Sequence, residues 1–268
     1  MEFTVLLSIY HKESPLFFEQ SLNSIFNQTL QPSEVIIVKD GPLTKELDTI
    51  INFFCNKHKQ IKVIPLPKNV GLGNALNEGI KYCSHELIAR MDTDDIAKKS
   101  RFEKQIAVFK NDASIDVCSG WIEEFEGNCS NVLSIKKIPE EHNEIFKYSK
   151  HRCPINHPAV MYKKSAVIKA GGYEGFPEDY RLWVKMLMNG NKFYNIQESI
   201  LFFRFSKEMI KRRGGWKYAM FDIKSQFDFY KMGFINIPTF LYNIFIRVLV
   251  RLVPTSGRNF IYKHLLRK

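Results

Sequence analysis

Three carboxylates fall within four positions at Asp92, Asp94 and Asp95, directly after the apolar run Leu87-Ile88-Ala89-Arg90-Met91. Like charges this close repel one another unless water or a cation separates them, so the cluster suits a divalent metal. Asp92 and Asp94 share a side if strand geometry continues past Met91, and a hard cation held there with open positions takes the oxygens of a bound diphosphate. The other reading is a polar turn in which an Asp caps a helix starting near Lys98. A second acidic pair, Glu178 and Asp179, opens a helix expected over Glu178–Met188 and closed by Asn189-Gly190. Acids in a first helical turn complement the helix dipole, so that pair by itself specifies no chemistry.

Short β-rich runs alternate with helical patterns through the first hundred residues. Strands are expected at Phe3–Ile9, Glu34–Lys39, 61–66 and 86–91, with helices at 15–28, 43–58 and 72–83. That alternation predicts an α/β fold with a mainly parallel sheet flanked by helices, whose ligands sit beyond the carboxyl ends of the strands. The residues following those strands are Tyr10 to Glu13, Asp40-Gly41, residues 67–71 and Asp92 to Asp95, so four polar clusters should gather along one edge. No G-x-G-x-x-G follows the first strand and no P-loop occurs, which argues against a dinucleotide dehydrogenase and a P-loop enzyme. Beyond residue 110 the pattern is less regular, with a strand expected at Ile115–Phe125 and a short helix at 140–150.

The chain has 268 residues, 45% hydrophobic and 25% charged, ordinary values for a globular protein with a sizeable core. Five cysteines without a C-x-x-C pair read as free thiols in a reducing compartment, and the N-terminus has no basic region or apolar run of signal-peptide length. Net charge is +11, but residues 1–203 hold 25 basic against 25 acidic side chains, while residues 204–268 hold 14 against three. The C-terminal segment is therefore expected to meet something anionic. Residues 237–253 are almost entirely apolar apart from Thr239, Asn243, Arg247 and Arg251; a spanning helix needs about 20 apolar residues, so an interfacial anchor on an anionic leaflet is expected. A core helix followed by a solvated basic tail is the alternative.

The motifs Ser8-Ile9-Tyr10, Val38-Lys39-Asp40-Gly41, Asn69-Val70-Gly71-Leu72-Gly73-Asn74-Ala75-Leu76-Asn77-Glu78-Gly79-Ile80, Ala89 through Asp95, and Phe176-Pro177-Glu178-Asp179-Tyr180-Arg181-Leu182-Trp183 occur in this order. Together they resemble inverting family 2 glycosyltransferases of the GT-A fold, over about the first 205 residues, and are similar to small bacterial enzymes that build O-antigen or exopolysaccharide repeat units. The resemblance implies a GT-A domain over residues 1–206, with a nucleotide-sugar half (1–110) and an acceptor half (111–206), and the charge and apolar pattern adds a basic amphipathic helical tail (207–268). It implies that Ser8, Tyr10 and Glu13 hold the nucleoside, that Asp40 binds the uracil edge, and that Asn69, Gly71 and Asn77 form the ribose and base wall. Lys39 departs from the acid often found beside that aspartate. Arg90 and Asp92 are implied to meet the donor sugar and ribose, Asp94 with Asp92 to hold Mn²⁺ or Mg²⁺, and Asp179 to act as general base, with Glu178 and His157 on the acceptor side. Asp95 is left between metal ligand and cap.

Lys207, Lys211, Arg212 and Arg213, followed by Gly214-Gly215, suit a loop closing over the donor diphosphate, or equally a basic surface meeting lipid. The Q-x-x-R-W motif of processive synthases is absent, which favours addition of a single sugar. The expected activity is transfer of galactose or glucose from a UDP-sugar to a polyprenyl-diphosphate-linked N-acetylhexosamine, at the cytoplasmic face of the inner membrane and bound peripherally to an anionic surface. A metal-dependent nucleotidyltransferase is the alternative within enzymes, and a non-catalytic basic module binding membrane or nucleic acid the alternative outside them. Long aliphatic runs among the basic residues speak against nucleic acid.

Overall fold

The computed structural model describes residues 1–206, 214–254 and 257. Four parallel strands, β1 (Phe3–Ile9), β2 (Glu34–Lys39), β3 (Ile61–Pro65) and β4 (Leu87–Arg90), lie in the order β3-β2-β1-β4. Helices α1 (Pro15–Phe26), α2 (Lys45–Lys57) and α3 (Leu72–Tyr82) connect them. Local chemistry sets the helix starts: Ser14 accepts the Phe17 N–H with Pro15 at the first helical position, and Thr44 accepts the Leu47 N–H. Inside α1, Phe18, Leu22 and Ile25 recur at helical spacing and are buried.

The strands alternate between two cores because successive side chains point to opposite faces. Phe3, Val5, Leu7 and Ile9 pack with α1, α2 and Phe102, Ile106 and Phe109 of a later helix, whereas Leu6, Ile36 and Val38 share a core with α3 and the C-terminal helices. All these strand residues are at most 1% exposed, as expected for a parallel sheet covered on both faces.

After β4 come a two-residue strand β5 (Ile96–Ala97), α4 (Arg101–Asn111) and β6 (Ile115–Phe125). Then follow β7 (Val132–Lys136), α5 (His142–Ser149), β8 (Met161–Lys163), α6 (Lys164–Lys169), α7 (Glu178–Met188) and β9 (Lys192–Arg204). The sheet continues from β4 through β8, β6 and β9 to β5, with β7 paired to β6. β8 is antiparallel to β4 and β6, while β6 and β9 run parallel along most of their length with register shifts near Gly120 and Trp121. This half was poorly legible: β5, β7 and β8 are short, and β9 carries no regular alternation.

Two further helices, α8 (Trp216–Lys231) and α9 (Ile237–Leu252), form an antiparallel hairpin joined to the second core through Phe229, Phe234 and Ile235. Residues 216–252 of the C-terminal segment pack on the domain. Buried Asn243 fixes the hairpin, donating to Lys150 O and Gln226 Oε1 at 2.7 Å each. Among the described residues no helix is long and apolar enough to cross a membrane. The five cysteines are free thiols.

Candidate active site

The acidic loop leaves β4 still tied to the sheet, for Met91 N–H donates to Leu6 O. Arg90, 1% exposed, turns back and grips Asp92 with both arms of its guanidinium, Nη1 donating to Oδ2 at 2.7 Å and Nη2 to Oδ1. Arg101, fully buried, donates to Arg90 O at 2.7 Å and so braces the strand end from below. From the other side Arg204, at the end of β9, donates its backbone N–H to Asp95 Oδ1 and its Nε to Asp94 O, both at 2.8 Å. Its guanidinium lies over Phe17 and Phe125.

Carboxylate oxygens of Asp92, Asp94 and Asp95 all come within 4.8 Å of one another. Burial first, and the Asp92 charge second, push the Asp94 carboxyl up to about 6; burial and the Asp94 charge push Asp95 well above the usual carboxylate range. Buried Asp95 Oδ2 has no hydrogen-bond partner among the described residues. An uncompensated buried oxygen beside two further acids fits a divalent cation. The capping alternative fails: α4 begins at Arg101 behind Ser100, and Asp95 binds Arg204.

The strand ends do gather the other expected residues. Ser8 is half-buried near the end of β1, opposite Val38. Tyr10 and Glu13 share the turn that follows, where Glu13 N–H donates to Tyr10 O. Asp40 is buried and accepts from Asn69 Nδ2 at 2.9 Å, Val70 N at 2.7 Å and Gly71 N at 3.1 Å, so its carboxylate organises the loop that leads into α3. Gly41, at φ +89°, passes under that loop, where a Cβ would stand 2.7 Å from Asn69 N. Asn77 differs from what the resemblance implies for it. It lies one turn inside α3 and brackets the Tyr173 backbone, accepting from Tyr173 N at 2.8 Å and donating to Tyr173 O at 2.7 Å. Its amide positions the segment before α7, because a buried peptide needs those partners.

Between the acidic loop and α7 opens a cavity of about 370 Å³. Arg90, Asp92, Glu178, Asp179, Asp222, Arg247 and Arg251 all line it. Asp179 Oδ1 accepts from Tyr180 N–H at 2.7 Å, and the Cys153 thiol lies 3.9 Å from Oδ2. Burial, then the Asp179 charge, raise that thiol to about 12, so it stays protonated. Burial raises Glu178, with the Asp179 charge adding to it. Gly73 lets α3 approach: a Cβ there would meet the Cβ atoms of Tyr173 and Glu178 at 3.3 Å each. α7 is anchored by fully buried Trp183 and by the Tyr180 hydroxyl donating to Ser149 O at 2.6 Å.

His157 lines the same cavity, 8% exposed, with Nε2 3.0 Å from the Tyr173 hydroxyl and its ring against Trp183. Burial, and then the Arg90 charge, hold it well below the usual histidine range and therefore neutral. These are the contacts of a hydrogen-bonded structural residue. Lys211, Arg212 and Arg213 lie outside the described residues.

Sequence reasoning missed Arg204, Asp222, Arg247 and Arg251. The last two were counted with a lipid-facing anchor; instead both turn onto buried Asp222, Arg247 Nη1 donating to Oδ1 at 3.2 Å and Arg251 Nε to Oδ2 at 2.7 Å. A signal was present, since Asn243, Arg247 and Arg251 recur every four residues and so share one face of an otherwise apolar helix.

Residues 4–169 match the family Glycosyl transferase family 2. The chain is 46% identical to the UDP-Gal:alpha-D-GlcNAc-diphosphoundecaprenol beta-1,3-galactosyltransferase of Escherichia coli, over all of this chain and 97% of that protein. It is 34% identical to the amylovoran biosynthesis glycosyltransferase AmsE of Erwinia amylovora, covering 97% and 98% of the two chains. Among solved structures, S. aureus TarS 1-349 in complex with UDP-GlcNAc superposes with a TM-score of 0.62 over 98% of this chain and 72% of the other, at 17% identity. That likeness is one of fold.

Proposed function

This chain belongs to glycosyl transferase family 2 and has the GT-A fold, and from that premise we propose that it moves galactose from UDP-galactose, with inversion, onto an N-acetylglucosamine carried on a polyprenyl diphosphate. The observation that carries the reading is one cavity holding both Asp92, beside the acid cluster, and Asp179. The choice of sugars follows the Escherichia coli relative.

Transfer with inversion requires the acceptor hydroxyl to lose its proton while attacking C1 from the face opposite the departing UDP. Asp179 is the base in this reading: its Oδ1 is steadied by the Tyr180 N–H, and its neighbour Cys153 keeps its own proton and so takes none from the acceptor. Arg90 holds Asp92 in one orientation toward the donor. Asp94, with Asp92 and Asp95, would hold Mn²⁺ or Mg²⁺, which when bound neutralises charge on the leaving diphosphate. Ser8, Tyr10, Glu13 and the loop organised by Asp40 would form the nucleoside side. Lys211, Arg212 and Arg213 remain candidates for closing on the donor diphosphate.

An anionic membrane surface completes the reading, placing the enzyme peripherally on the cytoplasmic face of the inner membrane. Supporting it, α9 turns Ile237, Leu241, Phe245 and Leu249 outward, Phe245 being 66% exposed, and the net positive charge of the chain is concentrated after residue 203.

The test is UDP release from a panel of UDP-sugars, with Mn²⁺ or Mg²⁺ and a short-chain GlcNAc diphosphate lipid, followed by NMR of the new linkage. Acceptor-dependent release from UDP-galactose and a β-linked product are expected. An α-linked product, another preferred donor, or pyrophosphate release from a nucleoside triphosphate would overturn the reading.

A further inference from the structure

We propose that Arg247 and Arg251, braced on Asp222, form the subsite for the diphosphate of the acceptor, an inference that rests on the galactosyl-transfer reading and deepens it. The two arginines stand one turn apart on α9 and both line the cavity. Asp222, 4% exposed, holds one guanidinium on each carboxylate oxygen, and Arg247 Nη2 also donates to His151 O at 2.7 Å. The guanidinium of Arg247 lies 5.7 Å from the Tyr180 ring centre and that of Arg251 4.3 Å from Tyr218. One carboxylate between two guanidiniums leaves this group of three with a net positive charge. Oriented arginine forks match phosphate oxygens in pairs.

Two sources could supply a diphosphate to this cavity, the donor and the acceptor, and the arrangement favours the acceptor. Arg90 and Asp92 act electrostatically on Glu178, the first residue of α7, whereas Arg247 acts on Cys153, whose thiol lies 3.9 Å from Asp179 Oδ2. Arg247 packs over Tyr180, the residue that follows the base. Attack opposite to the departing UDP brings the acceptor from the side of Asp179 away from the acid cluster, and cations there meet the acceptor's own phosphates. α9 is also two-faced: Leu241, Phe245 and Leu249 point outward while Arg247 and Arg251 point into the cavity. A lipid chain joined to a diphosphate joined to a sugar presents the same order, apolar, anionic, then reactive.

The experiment measures binding of a soluble short-chain prenyl diphosphate, and of the matching prenyl alcohol, to the full chain saturated with UDP, by calorimetry. Wild type should bind the diphosphate more tightly than the alcohol. Arg247→Gln and Arg251→Gln should each weaken the diphosphate roughly tenfold or more, leaving the alcohol unchanged. In transfer assays the same variants should raise the acceptor KM and keep the UDP-galactose KM within about twofold. Asp222→Asn, which keeps both cations, should bind the diphosphate at least as well as Arg247→Gln does, and melting curves report whether each variant is folded. Equal binding of diphosphate and alcohol by wild type, or undiminished diphosphate binding by the folded arginine variants, would overturn the subsite. A rise confined to the UDP-galactose KM would overturn it too, assigning the arginines to the donor. If wild type binds the diphosphate but transfers no galactose, the sugar reading fails while the subsite stands.

Discussion

One wall of the cavity is assembled from residues that lie close together in the chain, whereas another joins residues more than a hundred positions from the acidic loop. Arg90, Asp92, Asp94 and Asp95 leave a single strand end, and the strand's hydrogen bonds fix where the loop begins. Arg247, Arg251 and Asp222 come from two helices and meet Asp179 only through tertiary packing. The first wall is a piece of local geometry that a short motif can encode. The second depends on how a helical hairpin docks, which no local spacing records.

Three variants probe the acidic loop, the outward face of α9 and the brace at Arg204. Asp94→Ala should have the largest effect, lowering kcat/KM by roughly a thousandfold and abolishing stimulation by Mn²⁺ or Mg²⁺; retained stimulation in a metal titration would move the cation elsewhere. Next, Leu241→Ser combined with Phe245→Ser should reduce retention on anionic vesicles by roughly a hundredfold, since each side chain buries about 1.5–3 kcal/mol of apolar surface when inserted. Transfer to a short-chain soluble acceptor should persist in that double variant, and unchanged flotation with vesicles would remove α9 from the membrane contact. Arg204→Leu releases the acidic loop from β9 and should lower kcat about tenfold through misplacement, with the acceptor KM unchanged. A shift in acceptor KM would show that the two walls are not independent.

Glu34→Gln lies outside both walls and should leave kcat/KM unaffected. Burial alone would raise the Glu34 carboxyl, but Lys62, Ser84 and Thr4 bind it and bring it from an ordinary 4.5 to about 2. A folded pKa below the unfolded one stabilises the protein above about pH 4.5, and that stabilisation is lost as pH falls towards 2. The variant should therefore be less stable by roughly 3 kcal/mol at neutral pH, with a flatter loss across that acid window, in denaturant titrations. A parallel pH dependence in both proteins would contradict this.

Legibility in the sequence follows the same division. Strands Phe3–Ile9, Glu34–Lys39 and Ile115–Phe125 and the helix Glu178–Met188 were read with their observed limits because apolar period and turn residues bound them locally. β5 and β8 were missed because two or three residues cannot display a period. Asp92 and Asp94 announced themselves by charge crowding. Arg204 did not, since a single arginine ending an irregular strand carries no spacing signal, and its value comes from the loop that folds against it. For α9, the apolar run suggested an interfacial anchor, while the four-residue spacing of Asn243, Arg247 and Arg251 went unread and these side chains face inward.

In the proposed reading Asp179 serves the chemical step alone and takes no part in donor binding. The most direct measurement sets UDP-galactose binding by Asp179→Asn beside its galactose transfer to the GlcNAc diphosphate lipid. Binding within about twofold of wild type together with transfer reduced roughly a thousandfold is the predicted result. Transfer at the wild-type rate, or loss of donor binding in step with transfer, would contradict it.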